Sequence, residues 1–178
     1  FPNRMRDGKY TWNSKDYHFP INNAATGNAI HGFIRSKSFR MVSSAAGEAA
    51  GSVSIAYDYD GHLAYYPFPC SVEITFMISD NGTFETAVEV KNLHDTAIPV
   101  GFGWHPYFQL TENVADTVLH IPACRKVAID DRMLPTGITP VFTDFEQPQA
   151  VGETFLDNCF LASSDYTLAI EGSGRRLE

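Results

Sequence analysis

Between turn-forming residues, apolar side chains recur in this chain at every second position, and a period of two belongs to half-buried strands rather than helices. From Ser71 to Ser79, Val72, Ile74, Phe76 and Ile78 fall on one face, with Glu73 and Thr75 on the other. Asp80-Asn81-Gly82 interrupts the pattern, and Phe84, Thr86, Val88 and Val90 resume it, which predicts a hairpin turning on Asn81-Gly82. Val53, Ile55, Tyr57 and Tyr59 alternate up to Asp60-Gly61, and Lys9 to Trp12 follows Asp7-Gly8. Short strands are also expected at Ser38 to Ser43, Thr117 to Ile121, Lys126 to Asp130, Phe155 to Leu161 and Tyr166 to Glu171. Leu110 to Ile121 is free of Gly and Pro for long enough to suit a helix, yet its Val118-Leu119-His120-Ile121 end favours strand. The pattern predicts an all-β sandwich forming a single domain over residues 1–178, with no internal repeat or linker.

Composition narrows the partners. With 178 residues, 44% of them hydrophobic, the chain can bury a sizeable core. Thirteen basic against 21 acidic side chains give a formal charge of -8, which repels nucleic acid and anionic membrane, so neither is expected as a partner. No apolar run approaches the ~20 residues that span a bilayer, and no charged-then-apolar leader opens the chain. Cys70, Cys124 and Cys159 form no C-x-x-C pair; they are expected to be buried thiols of a reducing, cytoplasmic compartment. The six histidines have no i, i+4 pair on a helix and no His-x-His spacing, so neither a metal nor a cofactor is expected. Phe1-Pro2 at one end and Arg175-Arg176-Leu177-Glu178 at the other read as cut edges of a longer sequence, and the oligomeric state is left open.

Chemistry concentrates in Gly101-Phe102-Gly103-Trp104-His105-Pro106-Tyr107-Phe108. An imidazole can give or take a proton at physiological pH, and aromatic neighbours exclude water and offer faces to a sugar ring. Other motif-like fragments carry less. Gly101-x-Gly103 lacks the third glycine of a dinucleotide loop and runs into His-Pro. Asp58-x-Asp60-Gly61 lacks the remaining oxygen ligands of a calcium loop and reads as a hairpin turn. Ser43-Ser44 and Ser163-Ser164 sit in no nucleophile elbow.

Four segments remain, in this order: Phe1-Pro2-Asn3-Arg4, Ala29-Ile30-His31-Gly32-Phe33, Gly101 to Phe108, and Phe155-Leu156-Asp157-Asn158-Cys159-Phe160. Together they resemble the aldose 1-epimerase (galactose mutarotase) family, in which an early Asn-Arg pair, a His-Gly segment, a His-x-Tyr-Phe segment and an Asp before Cys-Phe follow one another. The resemblance implies an incomplete galactose mutarotase-like β-supersandwich and interconversion of the α and β anomers of a hexose. It gives His105 the role of acid at the ring oxygen. His31 and Arg4 would bond the same region of the sugar, and Asp157 would accept hydrogen bonds from ring hydroxyls. The family's catalytic base is a glutamate well beyond the Asp157 segment; neither Glu171 nor Glu178 occupies that place, so the chain is expected to turn over slowly or not at all. Ile34-Arg35-Ser36-Lys37-Ser38-Phe39-Arg40 carries three positive charges and keeps a hexose 6-phosphate as an alternative to a free aldohexose. A carbohydrate-binding sandwich without turnover is the other alternative, whereas a glycosidase would need two facing carboxylates that no motif supplies.

Overall fold

The computed structural model describes residues 3–163 and 165–178; Phe1 and Pro2 of the first motif segment and Ser164 of the Ser163-Ser164 pair lie outside the described residues. The chain divides into two compact units, Phe1–Gly103 and Trp104–Glu178. The first holds β1 (Arg4–Met5), β2 (Lys9–Trp12), β3 (Lys15–His18), β4 (Ala29–Ile30), β5 (Arg40–Ala46), β6 (Ala50–Tyr59), β7 (Cys70–Ser79) and β8 (Phe84–Asn92). They form a four-stranded sheet, β5-β6-β7-β8, and two ribbons, β1-β4 and β2-β3, all antiparallel. The second holds β9 (Val118–His120), β10 (Cys124–Lys126), β11 (Val141–Phe142), β12 (Gln149–Ala150), β13 (Phe160–Leu161), β14 (Ala169–Gly172) and β15 (Arg175–Leu177). These make the sheets β12-β9-β14-β15 and β11-β10-β13, so the all-β expectation holds.

The alternation in sequence becomes the two faces of the large sheet. Val53 lies opposite Phe76, Ile55 opposite Ile74 and Tyr57 opposite Val72, and β8 continues the same face with Val88 and Val90. Burial is uneven along it: Val72 is 2% exposed, while Ile78 and Phe84 next to the turn are 61% and 50% exposed. The hairpin turns where expected, through three residues rather than two. Ser79 N donates to Thr83 O at 2.9 Å and Gly82 N to Ser79 O at 3.0 Å. Of Asp80, Asn81 and Gly82 only the glycine has a positive φ, 84°, the three-residue loop that ends in a left-handed glycine. Asp60-Gly61 does not close a tight hairpin. It opens the connection 60–69, which the Tyr59 hydroxyl ties back to its strand by accepting from Leu63 N at 2.9 Å and donating to Tyr66 O at 2.6 Å.

Core packing in the first unit is aromatic. Met5, Phe19 and Ala29 are buried with Tyr10, Phe33, Tyr65 and Tyr66 against them, and ring centroids lie 4.6 Å apart for Phe19–Tyr65 and 4.7 Å for Phe33–Tyr59. Tyrosine hydroxyls inside such a cluster need acceptors: Tyr10 donates to Tyr65 O and Tyr66 to Pro99 O, both at 2.8 Å. The second unit packs Leu119, Ile121, Cys124, Phe142 and Phe145.

Several strands differ in extent from the sequence pattern. Ser38 to Ser43 forms later, as Arg40–Ala46, and Lys126 to Asp130 forms earlier, as Cys124–Lys126. The second shift has a local cause: the Asp130 carboxylate accepts from Arg132 N and Leu134 N at 3.0 and 2.9 Å, turning the chain away from the ladder. Of Phe155 to Leu161 only Phe160–Leu161 pairs, and of Tyr166 to Glu171 only Ala169 onward. In Leu110 to Ile121, Val114–Asp116 is a single 3-10 turn capped by Asn113, followed by the expected strand. Cys70 and Cys124 are buried thiols, whereas Cys159 is exposed. Its neighbour Phe160 packs on Phe142 at 4.8 Å, and alternation sends the adjacent side chain to the other side.

Two measurements test this packing. Gly8 has φ 67°, and a Cβ there would sit 2.3 Å from Phe19 O; at Gly82, φ 84°, a Cβ meets nothing within 4 Å. Gly8→Ala is therefore expected to lower the urea-derived stability by about 2 kcal/mol or more, and Gly82→Ala by only about 1 kcal/mol, the left-handed penalty alone; equal losses refute the close approach at Gly8. Burial, then Cys70 and Tyr59, raise the Tyr66 hydroxyl from 10.0 to about 12. The unfolded chain then loses its proton first, so this contribution is complete below pH 10 and is lost as pH rises through about 12. Tyr66→Phe should flatten the fall of stability across that window, and an unchanged slope refutes the assignment.

Candidate functional site

Arg4 and His31 are brought together by the shortest ribbon in the fold. Arg4 pairs with Ile30 and Met5 with Ala29, and His31 N donates to Asn3 O at 3.3 Å. In that register Arg4 and Ile30 are a non-hydrogen-bonded pair, the arrangement that brings Cα atoms closest, about 4.5 Å apart. Both motif segments are thus neighbours through backbone alone.

The Arg4 guanidinium is half-buried and incompletely satisfied. Asn3 Oδ1 accepts from Arg4 N at 2.8 Å and lies 3.5 Å from Nη1, while the Arg4 Nε–H is buried without a partner among the described residues. A buried donor in that state costs about 1–3 kcal/mol, the kind of local cost that folds retain at sites with a use for it. His31 is strained differently. Its φ is 62° and that of Gly32 is 57°; the glycine adopts this region freely, whereas the histidine pays about 1–2 kcal/mol for its Cβ. Non-glycine residues held there cluster at functional sites.

Beside the His31-Gly32 turn lies a cavity of about 250 Å³ walled by Phe19, Asn22, Gly32, Phe33 and Tyr65, with Arg35 and Lys37 at exposed positions of its lining. The three cations of the Ile34 to Arg40 stretch are not alike. Arg40 pairs with Asp58 at 3.1 Å, and that carboxyl is held below its usual range first by the Ser71 hydroxyl and then by Arg40. Arg35 and Lys37 form no ion pair among the described residues.

His105 and Asp157 belong to the second unit, on separate irregular segments. The division between the units passes through the Gly101 to Phe108 stretch itself. Around His105 the aromatics do not exclude water as the sequence suggested: Trp104 is 53%, Tyr107 90% and Phe108 53% exposed. The physical reason is that this stretch enters no strand ladder, so no sheet face covers its rings. His105 stacks on Tyr107 with centroids 5.2 Å apart, and Trp104 meets Phe108 edge-on at 6.2 Å. Asp157 is exposed between Leu156 and Asn158, with Leu156 and Phe160 anchoring its segment on the second core.

Two asparagines that no sequence motif singled out hold the His31 side of the site. Asn28 is fully buried; its Oδ1 accepts from Asp7 N at 3.3 Å and its Nδ2 donates to Thr26 Oγ1 at 3.1 Å. Asn22 bonds Ile30 at both peptide groups. The only signal in the sequence was their place at the two ends of a short polar loop before an apolar pair. Among the described residues no group of three or more His, Cys, Asp or Glu side chains is disposed to hold a metal ion, and no helix is long and apolar enough to cross a membrane.

Known proteins with the same architecture give this arrangement a context. A galactose mutarotase-like protein from Clostridium acetobutylicum superposes with a TM-score of 0.82 at 23% identity, over 96% of this chain and 56% of that one. Galactose 1-epimerase from Lactobacillus acidophilus NCFM superposes at 0.79 with 18% identity, over 96% and 56%. In sequence, the chain is 24% identical to the uncharacterized protein YihR of Escherichia coli (strain K12), over 93% of this chain and 53% of that protein. It is 28% identical to the galactose mutarotase of Rattus norvegicus, over 85% and 44%. The chain thus spans about half the length of the curated relatives it matches. The fold is the galactose mutarotase-like one, and because the model of the family described as aldose 1-epimerase matches residues 1–177, the chain belongs to the aldose 1-epimerase family.

Proposed function

We propose that this chain carries the acid side of an aldose 1-epimerase site, acting on a free aldohexose. In the reaction, the ring oxygen gains a proton as the anomeric hydroxyl loses one, and the bond from C1 to the ring oxygen breaks to give the open aldehyde. The C1–C2 bond then turns, and the ring closes on the other face of C1 with both protons returned. His105 is the acid at the ring oxygen. His31 and Arg4 bond the same region of the sugar and offset charge there, and Asp157 accepts from ring hydroxyls. The family resemblance gives the base role to a glutamate beyond the Asp157 segment, and to neither Glu171 nor Glu178.

The observation that carries this reading is the β1–β4 pairing, which joins Asn3-Arg4 to His31 in a chain whose family match covers 1–177. That match crosses the division after Gly103, which supports reading residues 1–178 as one domain. A cytoplasmic location belongs to the same reading and is supported by three unbridged thiols. One observation favours a hexose 6-phosphate instead: Arg35 and Lys37 line the cavity beside Gly32 without ion pairs among the described residues. Against it, the formal charge of -8 disfavours recruiting an anion, and Arg40 is already engaged by Asp58.

Polarimetry and NMR exchange with fresh α-glucose, α-galactose and α-glucose 6-phosphate test these assignments. The chain should bind a free aldohexose and equilibrate its anomers slowly, and His105→Asn should lower that rate at least tenfold with binding much less changed. A His105→Asn chain that keeps its rate sinks the acid assignment. Sugar binding that is indifferent to substitution of His31, His105 and Arg4 together favours the carbohydrate-binding alternative, faster handling of the 6-phosphate favours the phosphosugar, and fast turnover by wild type refutes the placing of the base outside these residues.

A further inference from the structure

We propose that Asn22 is a positioning residue: its side-chain amide stands in for a neighbouring strand along Ile30 and so fixes the left-handed turn that presents His31. The inference rests on the reading that His31 meets the sugar. The β1-β4 ribbon has two strands only. Because Arg4 and Ile30 are a non-hydrogen-bonded pair, the N–H and C=O of Ile30 point away from β1, toward what would be an open edge. Asn22 fills that edge at two points, its Oδ1 accepting from Ile30 N at 2.7 Å and its Nδ2 donating to Ile30 O at 3.0 Å. A carboxamide repeats the donor and acceptor of a peptide unit, so a single side chain does the work of one residue of a third strand.

Asn22 is itself anchored. Next to it, Asn23 bridges to Asn28, with Asn23 N donating to Asn28 O at 3.0 Å and Asn28 N to Asn23 O at 3.2 Å. The loop leading into β4 is closed at its base, and Asn22 stands at that base. Ile30 is consequently gripped from both sides, by β1 on one edge and by Asn22 on the other, directly before the chain turns left-handed. His31 holds φ 62° against the preference of its Cβ, and such a conformation persists only where the surroundings over-determine it. The long 3.3 Å bond from His31 N to Asn3 O is a weak restraint alone. Asn22 supplies the shorter and two-point one, on the wall it shares with Gly32 in the adjoining cavity.

The test uses the full chain labelled on histidine and backbone nitrogen, with the His31 signal assigned through His31→Ala. In Asn22→Ala, exchange of the Ile30 amide should speed up at least tenfold, and the His31 imidazole signal should shift, while the other histidine signals stay in place. Asn22→Asp keeps an acceptor and loses the donor when ionised, so it should show a partial effect that recovers as the carboxyl protonates near pH ~4; it also serves should Asn22→Ala fail to fold. Turnover of an aldohexose should fall in kcat more than in KM. A folded variant whose Ile30 exchange and His31 signal match wild type overturns the proposal. If those two move as expected while aldohexose perturbs neither His31 nor turnover in wild type, the positioning stands and the sugar role of His31 fails.

Discussion

Strands of two to four residues cannot satisfy their own peptide groups, and short polar side chains make up the difference throughout this fold. A two-residue strand offers at most a few ladder bonds, so its flanks must find other partners or remain buried and unpaired. Asn22 serves Ile30, Asn28 serves Asp7, Asn113 serves Ala115, and Asp130 serves both Arg132 and Leu134. Asn81 and Asn92 do the same for Thr83 and His94 after β7 and β8. Asparagine and aspartate can imitate a peptide unit at short range, which is why irregular loops hold their shape here without helices.

That device has a consequence for the site. Catalytic and binding groups need rigid placement, yet the segment carrying His31 has a two-residue strand behind it and a left-handed turn ahead. Rigidity comes from side-chain amides and from the aromatic cluster that Phe33 enters right after the turn, meeting Tyr59 and Tyr66 with tilted rings. Backbone strain at His31 and an Arg4 Nε with no partner among the described residues lie in and beside one ribbon, and both are local costs that the surrounding packing supports. The Gly101 to Phe108 segment is irregular throughout. It enters no ladder, and its rings face solvent to a large degree.

Long strands were legible because a period of two repeated over seven residues leaves little ambiguity. β7, β8 and β6 fall where Val72 to Ile78, Phe84 to Val90 and Val53 to Tyr59 alternate, and Lys9 to Trp12 is matched residue for residue. β1, β4, β11 and β12 left no trace, since two residues cannot display a period. The expected strand from Phe155 shortened to Phe160–Leu161 for the opposite reason: alternation was present, but no partner ladder exists for its first half. Arg4, His31, His105 and Asp157 were legible as motif members. Their supports Asn22 and Asn28 were not, because an asparagine in a loop has no signature of which distant peptide it will meet.

The sequence alone determined the fold class, through hydrophobic period and turn residues, and the family, through four ordered segments whose residue types are chemically specific. Tertiary structure decided the rest: that Arg4 lies against Ile30 and so beside His31, that His31 turns left-handed, that Arg40 is paired with Asp58, and that Cys159 faces outward. Local period is written in neighbouring residues, because side-chain direction follows from backbone geometry within a few positions. Pairing between remote segments is written nowhere locally; it emerges only when the whole chain chooses the register that leaves the fewest buried peptide groups unbonded.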